Sequence, residues 1–481
     1  MMKDFKLLVN GEWVESVGNK RYEIRNPAKL DEIIGTFPRS APQDVEEAIR
    51  AARRAQKSWA STPAPRRGDV LEKASRLLEA RLEEVARNLT REEGKTLAEA
   101  KGEVTRAVDI LRYYGGEGWR IGGQIYPSNT AGQLLYSQRE PLGVVTVITP
   151  WNFPIAIPAW KVAPALAYGN AVVFKPAEHG ELSGLALVTA LVDAGLAPGV
   201  LNFITGPGAP ISEALAGSPE INGVSFTGSR AVGSEIYQRA IKNLTRVQLE
   251  MGGKNPLVVL DDADLDLAVN LATRGGFGLT GQACTATSRV IVEHKIADHF
   301  AQELARRAAE WVVGYGLDSG TQMGPAVSEE QLERDLKYIE IGQQEGASLI
   351  AGGGQGHAGG YFIQPTVFDT VDPGMRIAKE EIFGPVIGIM RVGDLEEAIE
   401  YANAISFGLS AGVVTNDLHK AFKFANEVEA GVVKVNELTT GLALQAPFGG
   451  FRGSSANTFK EQGPAAIEFY TRTKTVYMNH G

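Results

Sequence analysis

Residues 143–154 read Gly-Val-Val-Thr-Val-Ile-Thr-Pro-Trp-Asn-Phe-Pro, a β-branched run that stops at a proline-rich turn. Similar apolar runs recur at 171–174, 201–204, 224–226 and 247–249, with helix-like segments near 158–168, 180–194, 209–216 and 230–242. Short strands that alternate with helices predict a parallel sheet with right-handed crossovers. The fold class is therefore α/β, and such sheets bind ligands beyond the carboxyl ends of their strands.

A second alternation of the same kind begins at residues 256–260 and ends near residue 450. Its strand-like runs lie at 290–292, 365–368 and 386–389, with a helix around 296–313. Ahead of both alternations, short strands with an Asn10-Gly11 hairpin signal occupy 7–37, and helical spacing starts at 42 and again near 98–119. The runs 134–139 and 467–478 are predicted as strands of an arm shared between subunits, because an uncovered strand edge seeks a partner.

Composition excludes several classes of protein. Of the 481 residues, 44% are hydrophobic and 22% are charged, and the net charge is −9, which does not indicate a nucleic-acid-binding surface. A single cysteine excludes an intrachain disulfide and a cysteine-rich metal site, so no metal is expected. The N-terminal residues lack an apolar signal region, and the apolar stretch 142–174 is broken by prolines. We expect a cytoplasmic protein without membrane or nucleic-acid partners.

The only cysteine, Cys284, lies in Phe277-Gly-Leu-Thr-Gly-Gln-Ala-Cys-Thr285, among small and turn-forming residues. One interpretation is a buried cysteine that acts as a small hydrophobic residue. The other is a reactive thiol, because accessibility and thiolate character determine reactivity.

Each strand of the first alternation ends in glycines or polar residues, at 150–154, 175–178, 206–208, 226–233 and 250–254. A dinucleotide would lie at the sheet edge where these ends meet. Thr227-Gly228-Ser229 opens a helix, whose free N–H groups can hold a pyrophosphate oxygen. One such turn is ordinary, but five in succession predict a cofactor site.

Seven motifs, in this order, resemble the aldehyde dehydrogenase superfamily over nearly the whole chain: Pro150-Trp-Asn-Phe-Pro154, Lys175-Pro-Ala-Glu178, Phe226-Thr-Gly-Ser229, Leu249-Glu-Met-Gly-Gly-Lys254, Gly281-Gln-Ala-Cys284, Glu381-Ile-Phe-Gly-Pro385 and Pro447-Phe-Gly-Gly450. The resemblance implies a Rossmann-type, parallel-sheet NAD-binding domain (1–122 and 142–249) and a second α/β catalytic domain (250–452). It also implies a small β oligomerisation arm with the C-terminal tail (123–141 and 453–481).

The same resemblance assigns roles to individual residues. Cys284 would be the nucleophile and Glu250 the general base, while the Asn152 amide and the Cys284 backbone N–H would form the oxyanion hole. Lys161 and Glu461 match positions linked to proton relay. The chain departs from the common pattern between residues 448 and 461, which bears on Glu461.

The implied cofactor site contains fourteen residues. Lys175 and Glu178 would bind the adenosine ribose, and Glu381 and Phe383 the nicotinamide ribose and ring. Gly208, Gly228, Ser229 and Val232 would line the pyrophosphate and adenine site, and the remaining positions are Thr149, Pro150, Trp151, Ala177, Phe226 and Thr227. Arg230 stands where the family often has Thr. Because Glu178 would accept hydrogen bonds from both ribose hydroxyls and repel a 2′-phosphate, we expect a preference for NAD, with NADP possible.

Further residues narrow the range of possible aldehyde substrates. Segments 152–161, 282–289 and 468–476 look like the branch of the family that acts on 2-oxoglutarate semialdehyde (2,5-dioxopentanoate). The far carboxylate of that aldehyde needs a cation, and a guanidinium suits it best. Alignment puts Arg106 at the tunnel mouth, although a solvated helix arginine would look the same. The apolar wall would be Phe153, Trp160 and Phe448.

The predicted protein is an NAD(P)-dependent aldehyde dehydrogenase, a homodimer or homotetramer, that makes a carboxylate through a thiohemiacetal and a thioester on cysteine. Alternatives are another semialdehyde or a broad range of aliphatic aldehydes. A CoA-acylating enzyme would not need the base Glu250, and a non-catalytic nucleotide-binding protein would not need Cys284.

Overall fold

The Asn10-Gly11 turn forms the predicted hairpin. Both residues have positive φ angles, +54° and +84°, as a tight two-residue turn requires. The computed structural model describes residues 3–456 and 458–481. Met1 and Met2, which the predicted NAD-binding domain includes, and Asn457 of the predicted tail lie outside the described residues.

From Lys3 onward, the described residues of the N-terminal region form five strands and then four α-helices. These are β1 (Lys3–Asp4), β2 (Leu7–Val9), β3 (Glu12–Val14), β4 (Arg21–Asn26), β5 (Lys29–Pro38), α1 (Pro42–Ser61), α2 (Ala64–Ala80), α3 (Leu82–Glu93) and α4 (Leu97–Gly115). Among the described residues, we find no helix that is both long enough and apolar enough to cross a membrane.

The first alternation follows. Its elements are β6 (Ile125–Tyr126), β7 (Gln133–Pro141), β8 (Val144–Ile148), α5 (Ala156–Ala167), β9 (Ala171–Lys175), α6 (Glu181–Asp193), β10 (Leu201–Phe203), α7 (Ser212–Gly217), β11 (Gly223–Thr227), α8 (Arg230–Ile241) and β12 (Arg246–Glu250). Strands pair in the order β12-β11-β8-β9-β10-β2-β3, and the first five are parallel. Alternate β-branched residues pack against α2, α4, α5 and α6 on one face and against α1, α7 and α8 on the other.

The second alternation forms another seven-stranded sheet. Its elements are β13 (Asn255–Val259), α9 (Leu265–Phe277), β14 (Thr287–Glu293), α10 (His294–Ala309), α11 (Glu329–Gln344), β15 (Ser348–Ala351), β16 (Thr366–Asp369), α12 (Arg376–Lys379), β17 (Val386–Val392), α13 (Leu395–Asn403), β18 (Phe407–Gly408), β19 (Ser410–Val414), α14 (Leu418–Glu427) and β20 (Val432–Val435). The order is β15-β16-β17-β14-β13-β19-β20, parallel except at β15. Both predicted sheets, and the α/β class, are confirmed.

The C-terminal residues add β21 (Phe451–Arg452), α15 (Ala466–Tyr470) and β22 (Thr471–Asn479). The prediction of a strand from residue 467 was wrong for its first four residues, which are helical. Ala466, Phe469 and Tyr470 are buried, and this one-sided pattern suits a short helix. From Thr471 onward β22 pairs with β7 in an antiparallel ladder, and β6 completes a three-stranded sheet.

Candidate active site

The carboxyl ends of β8, β11 and β12 meet at one edge of the first sheet, because the three strands are parallel. Residues that follow them face a cleft of about 780 Å³, here called the strand-end cleft. Its lining includes the predicted residues Pro150, Trp151, Asn152, Trp160, Thr227, Gly228, Ser229, Glu250, Cys284, Glu381, Phe383 and Phe448. Loop residues of the segment that forms the second sheet thus line the same cleft as the strand ends of the first sheet.

Cys284 lies between two openings. It lines the strand-end cleft and also a second space of about 940 Å³, here called the helix-side cavity, which α4 borders with Glu99, Gly102, Glu103 and Arg106. The cysteine is partly exposed and free. Burial, and then the carboxylates of Glu250, Glu381 and Glu461, raise the pKa of its thiol to about 12. The interpretation of Cys284 as an inert core residue is not supported by this position.

The backbone before Cys284 is tightly shaped. Leu279 and Thr280 have φ angles of +54° and +57°, which non-glycine residues rarely adopt. A Cβ on Gly281 would lie 2.3 Å from the Gly384 carbonyl oxygen, so only glycine fits there. The Leu279 N–H donates to Glu99 Oε1 at 2.7 Å, which anchors this loop to α4.

Asn152 is buried and contacts the cysteine loop. Its Nδ2 donates to the Gln282 carbonyl oxygen at 2.9 Å, two residues before Cys284. Asn152 and Cys284 line the same cleft. The Asn152 amide and the thiol therefore border one cleft, and the oxyanion-hole role of Asn152 stays a prediction.

Glu250 is 2% exposed and ends β12. Its Oε2 accepts a hydrogen bond from the Gly450 N–H at 3.4 Å, and its Oε1 has no partner among the described residues. Burial, and then the nearby Glu461, raise the pKa of the Glu250 carboxyl well above its ordinary value. A carboxyl group with a raised pKa and one oxygen free of hydrogen bonds suits a residue that takes up and releases a proton during a reaction.

Lys161 and Glu461 form a buried ion pair behind the cleft, with 0% and 2% side-chain exposure. Lys161 Nζ also donates to Ser225 Oγ at 3.0 Å, and the Trp160 indole donates to Glu461 Oε2 at 2.8 Å. The structure thus brings together the two residues that the sequence paired, although the segment before Glu461 departs from the common pattern.

A third space of about 910 Å³, here called the outer cleft, extends the strand-end cleft. Trp151, Gln331 and Arg334 line both, and the outer cleft adds Lys175, Ala177 and Glu178. Lys175 is buried, its Nζ donates to the Pro176 carbonyl oxygen at 2.7 Å, and burial lowers its pKa.

Contacts around Glu381 and Phe383 are close. The Phe383 ring meets Trp151 edge-on, with ring centroids 5.4 Å apart. Glu381 Oε1 accepts from the Gly253 N–H at 3.0 Å. A Cβ on Gly252 would lie 2.1 Å from a Glu381 carboxylate oxygen, so this glycine permits the approach.

The structure places four predicted cofactor residues elsewhere than on these clefts. Thr149 is 3% exposed, and Phe226 packs in the sheet core under Gly228. Val232 is 47% exposed on the first turn of α8, where its N–H donates to the N-cap Ser229 Oγ at 3.4 Å. Gly208 lies beside Lys175, because a Cβ there would be 3.7 Å from Lys175 Cε.

The predicted substrate residues divide between the openings. Arg106 and Phe153 line the helix-side cavity, Phe448 lines the strand-end cleft, and Trp160 lines both. Arg106 is half-buried, which lowers its pKa, and it donates to Gln462 Oε1 at 2.9 Å. Arg106 is therefore not a fully solvated helix arginine.

Several residues at the site were missed by the sequence interpretation. Arg334 donates to the Glu381 carbonyl oxygen at 2.5 Å, and Gln331 Nε2 donates to the Ile382 and Phe383 carbonyl oxygens at 3.2 Å. Lys460 donates to the carbonyl oxygens of Gly449 and Gly450 at 2.6 Å, beside Glu250. All of them bind backbone carbonyl oxygens, and no local motif marks such contacts in the sequence.

Comparison with known proteins assigns the class. Residues 13–476 match the aldehyde dehydrogenase family, and the chain belongs to that family. It is an NAD(P)-dependent oxidoreductase that acts on aldehyde groups.

Particular relatives are similar over nearly their whole length. The alpha-ketoglutaric semialdehyde dehydrogenase of Bacillus subtilis (strain 168) is 47% identical over 474 residues, covering 98% of this chain and 97% of that protein. The 2,5-dioxopentanoate dehydrogenase of Saccharolobus solfataricus is 47% identical over 478 residues, covering 99% of each. The crystal structure of Staphylococcus aureus betaine aldehyde dehydrogenase in complex with NAD+ superposes with a TM-score of 0.96, at 36% identity, covering 98% of this chain and 94% of that one.

Proposed function

We propose that this enzyme oxidises 2-oxoglutarate semialdehyde to 2-oxoglutarate, with NAD+ as the preferred acceptor. The observation that carries the substrate is that Cys284 and Arg106 border the same cavity. The other charged residues in its lining, Glu99 and Glu103, already accept hydrogen bonds from backbone N–H groups. The Arg106 guanidinium has five N–H donors and uses one in the hydrogen bond to Gln462 Oε1, so the other donors can bind a substrate carboxylate. The names of the relatives at 47% identity support the same choice.

The covalent chemistry belongs to Cys284. Its thiolate adds to the aldehyde carbon, and the carbonyl oxygen becomes an alkoxide that the Asn152 amide and the Cys284 N–H stabilise. A bound nicotinamide would accept the hydride from this carbon, which would leave a thioester on Cys284. Glu250 then takes a proton from water, the hydroxide attacks the thioester, and the carboxylate product leaves while the thiolate is restored.

Lys161 and Glu461 extend the proton path from Glu250. Burial, and then the charge of Glu461, raise the pKa of the Glu250 carboxyl. Lys161 pairs with Glu461, and its charge acts on Glu250 in the opposite direction, which links the three groups electrostatically.

The residues of the joined clefts fit a dinucleotide. Thr227 Oγ1 is buried, lines the strand-end cleft and has no partner among the described residues, so a hydrogen-bond donor stands ready there. Gly228 and Ser229 precede α8, whose first N–H groups would hold the pyrophosphate. Glu381 and Phe383 would hold the nicotinamide ribose and ring. Pro150, Trp151 and Ala177 complete the lining of the proposed site, and Thr149, Gly208, Phe226 and Val232 would support it from neighbouring positions off the clefts.

Preference for NAD over NADP follows from charge. Glu178 borders the outer cleft and would repel a 2′-phosphate while accepting from ribose hydroxyls. Burial lowers the pKa of Lys175, and its Nζ is turned to the Pro176 carbonyl oxygen, so it offsets Glu178 only in part.

We also propose the division of labour read from the sequence. Residues 1–122 and 142–249 bind NAD, 250–452 carry the catalytic cysteine, and 123–141 with 453–481 form the oligomerisation arm and tail. The exposed apolar residues Ile125, Tyr477 and Met478 on the arm sheet support a homodimer or homotetramer. We place the enzyme in the cytoplasm.

The test compares Arg106→Met with a matched control on the same helix, Arg112→Met, whose exposed guanidinium pairs with Glu79. A lost charge-assisted hydrogen bond costs about 1.5–3 kcal/mol, which is roughly a 10- to 100-fold rise in KM for the semialdehyde. KM for propanal stays unchanged in both variants. Equal effects on the two aldehydes would contradict anchoring by Arg106, and NADH formation that depends on CoA would contradict hydrolysis.

A further inference from the structure

A buried ion pair joins α4 to the loop that carries Asn152. Lys95 Nζ and Glu103 Oε2 are 2.6 Å apart, and their side chains are 1% and 2% exposed. Lys95 stands just before α4, and Glu103 lies on its second turn. Neither residue was assigned a role from the sequence.

The pair contacts the loop at four of the five residues from 152 to 156. Lys95 Nζ donates to the Asn152 carbonyl oxygen at 2.7 Å and lies 4.6 Å from the centre of the Phe153 ring. Glu103 Oε1 accepts from the N–H groups of Ile155 and Ala156, at 2.9 and 3.1 Å. Because Ile155 at the N-cap of α5 makes no capping bond of its own, Glu103 supplies the negative group that this helix start needs.

Stability alone does not explain such a pair. Burying two charges removes their hydration, and well-packed apolar residues of similar size are often as stable. Here the charged atoms face backbone groups of one short loop, and that loop carries the amide next to Cys284. The contacts fix where the Asn152 backbone lies.

We propose that Lys95 and Glu103 are positioning residues for Asn152, and that they aim its side-chain amide at the oxygen of the substrate bound to Cys284. The inference rests on the proposed role of Asn152 in the oxyanion hole. Lys95 binds the Asn152 carbonyl oxygen, and Glu103 binds the backbone N–H groups of Ile155 and Ala156. With the backbone fixed on both sides, the Asn152 side chain is held in one orientation. Loss of either contact frees the amide without touching Cys284 or the outer cleft.

The experiment uses two variants and a control. Lys95→Met/Glu103→Gln removes both charges together, and the new amide oxygen still accepts from Ile155 and Ala156. Glu103→Met alone removes the acceptor for the Ile155 and Ala156 N–H groups but leaves Lys95 beside Glu93, 3.9 Å away, and gives a second variant if the double change does not fold. Lys101→Met is the control, because Lys101 is on the same helix and pairs with Glu83 at the surface.

We expect the burst of NADH formation to slow by about 10- to 100-fold in the folded variants, less than the loss of a whole oxyanion donor. NAD+ affinity and the rate at which iodoacetamide alkylates Cys284 stay within about twofold, because these do not use the amide. In the Asn152→Ala background, adding Lys95→Met/Glu103→Gln produces no further slowing.

Three results would overturn the positioning role. These are a wild-type burst in the folded variants, a slowing that multiplies with Asn152→Ala, and a parallel fall in alkylation that marks general disruption. If Asn152→Ala itself keeps a wild-type burst, the proposed oxyanion chemistry fails as well. If only the Lys95 and Glu103 variants keep it, the positioning role alone fails.

Discussion

Replacing Glu250 with Gln separates the two halves of the proposed reaction. The change keeps the size of the side chain, and the glutamine oxygen can still accept from the Gly450 N–H. It removes only the ability to take a proton. Because Glu250 acts after the hydride has left, the variant should form the thioester and then stall.

The expected loss of steady-state rate in Glu250→Gln follows from the role of a general base. Such a group contributes about 10²–10⁴-fold, and a 100-fold loss corresponds to about 2.7 kcal/mol of barrier. We therefore expect steady-state NADH formation to fall by at least about 100-fold. The burst should remain near one NADH per active site, because Cys284 and Asn152 are unchanged.

The assay is stopped-flow absorbance of NADH, with wild type and Glu250→Gln at equal concentrations of active sites. Added hydroxylamine should restore turnover of the variant, since this strong nucleophile attacks a thioester without a base. If burst and steady-state rates fall together, Glu250 acts before or during hydride loss, and the assignment is wrong. An unchanged steady-state rate would show that another group activates water.

Three further predictions use the same site. Burial raises the pKa of the Cys284 thiol to about 12 and that of the Glu250 carboxyl well above its ordinary value, and both groups must be deprotonated to act, so the steady-state rate should rise with pH throughout the range below the thiol pKa; a flat profile with chemistry rate-limiting would contradict this. Lys161→Met leaves Glu461 buried without its cation and should lower the free energy of unfolding by about 3–5 kcal/mol, measured by chemical denaturation, whereas adding Glu461→Gln should recover part of that loss. Glu178→Gln should raise kcat/KM for NADP+ by about tenfold relative to NAD+, and an unchanged ratio would remove Glu178 from cofactor selection.

The sequence predicted the parts of this fold that depend on short-range pattern. Val144–Ile148 and the other β-branched runs alternate with helices, and in such a chain these runs form buried parallel strands, so both parallel sheets were expected. Strand topology then carries polar residues to one edge, which is why Asn152 and Glu250 line the same cleft. Cys284 lines the same cleft only because the segment that forms the second sheet packs at that edge. Strand pattern alone does not predict this packing, so the placement of Cys284 depended on the resemblance to a family.

Buried charge is what the sequence could not predict. No role was assigned to Lys95 or Glu103 from the sequence, because their partners Asn152 and Ile155 lie 57 and 52 residues away along the chain. Gln331 and Arg334 were missed for the same reason, since their partners lie 51 and 47 residues away at Ile382 and Glu381. The short helix at Ala466–Tyr470 was misread because five residues do not distinguish the helical from the strand period.

The covalent bond to Cys284 can be observed directly. Glu250→Gln, mixed with NAD+ and 2-oxoglutarate semialdehyde and quenched in acid after the burst, is digested and examined by mass spectrometry. The account predicts that the peptide carrying Cys284 gains the mass of a 2-oxoglutaryl thioester, and that Cys284→Ala forms neither adduct nor NADH. An NADH burst with that peptide unmodified would contradict it.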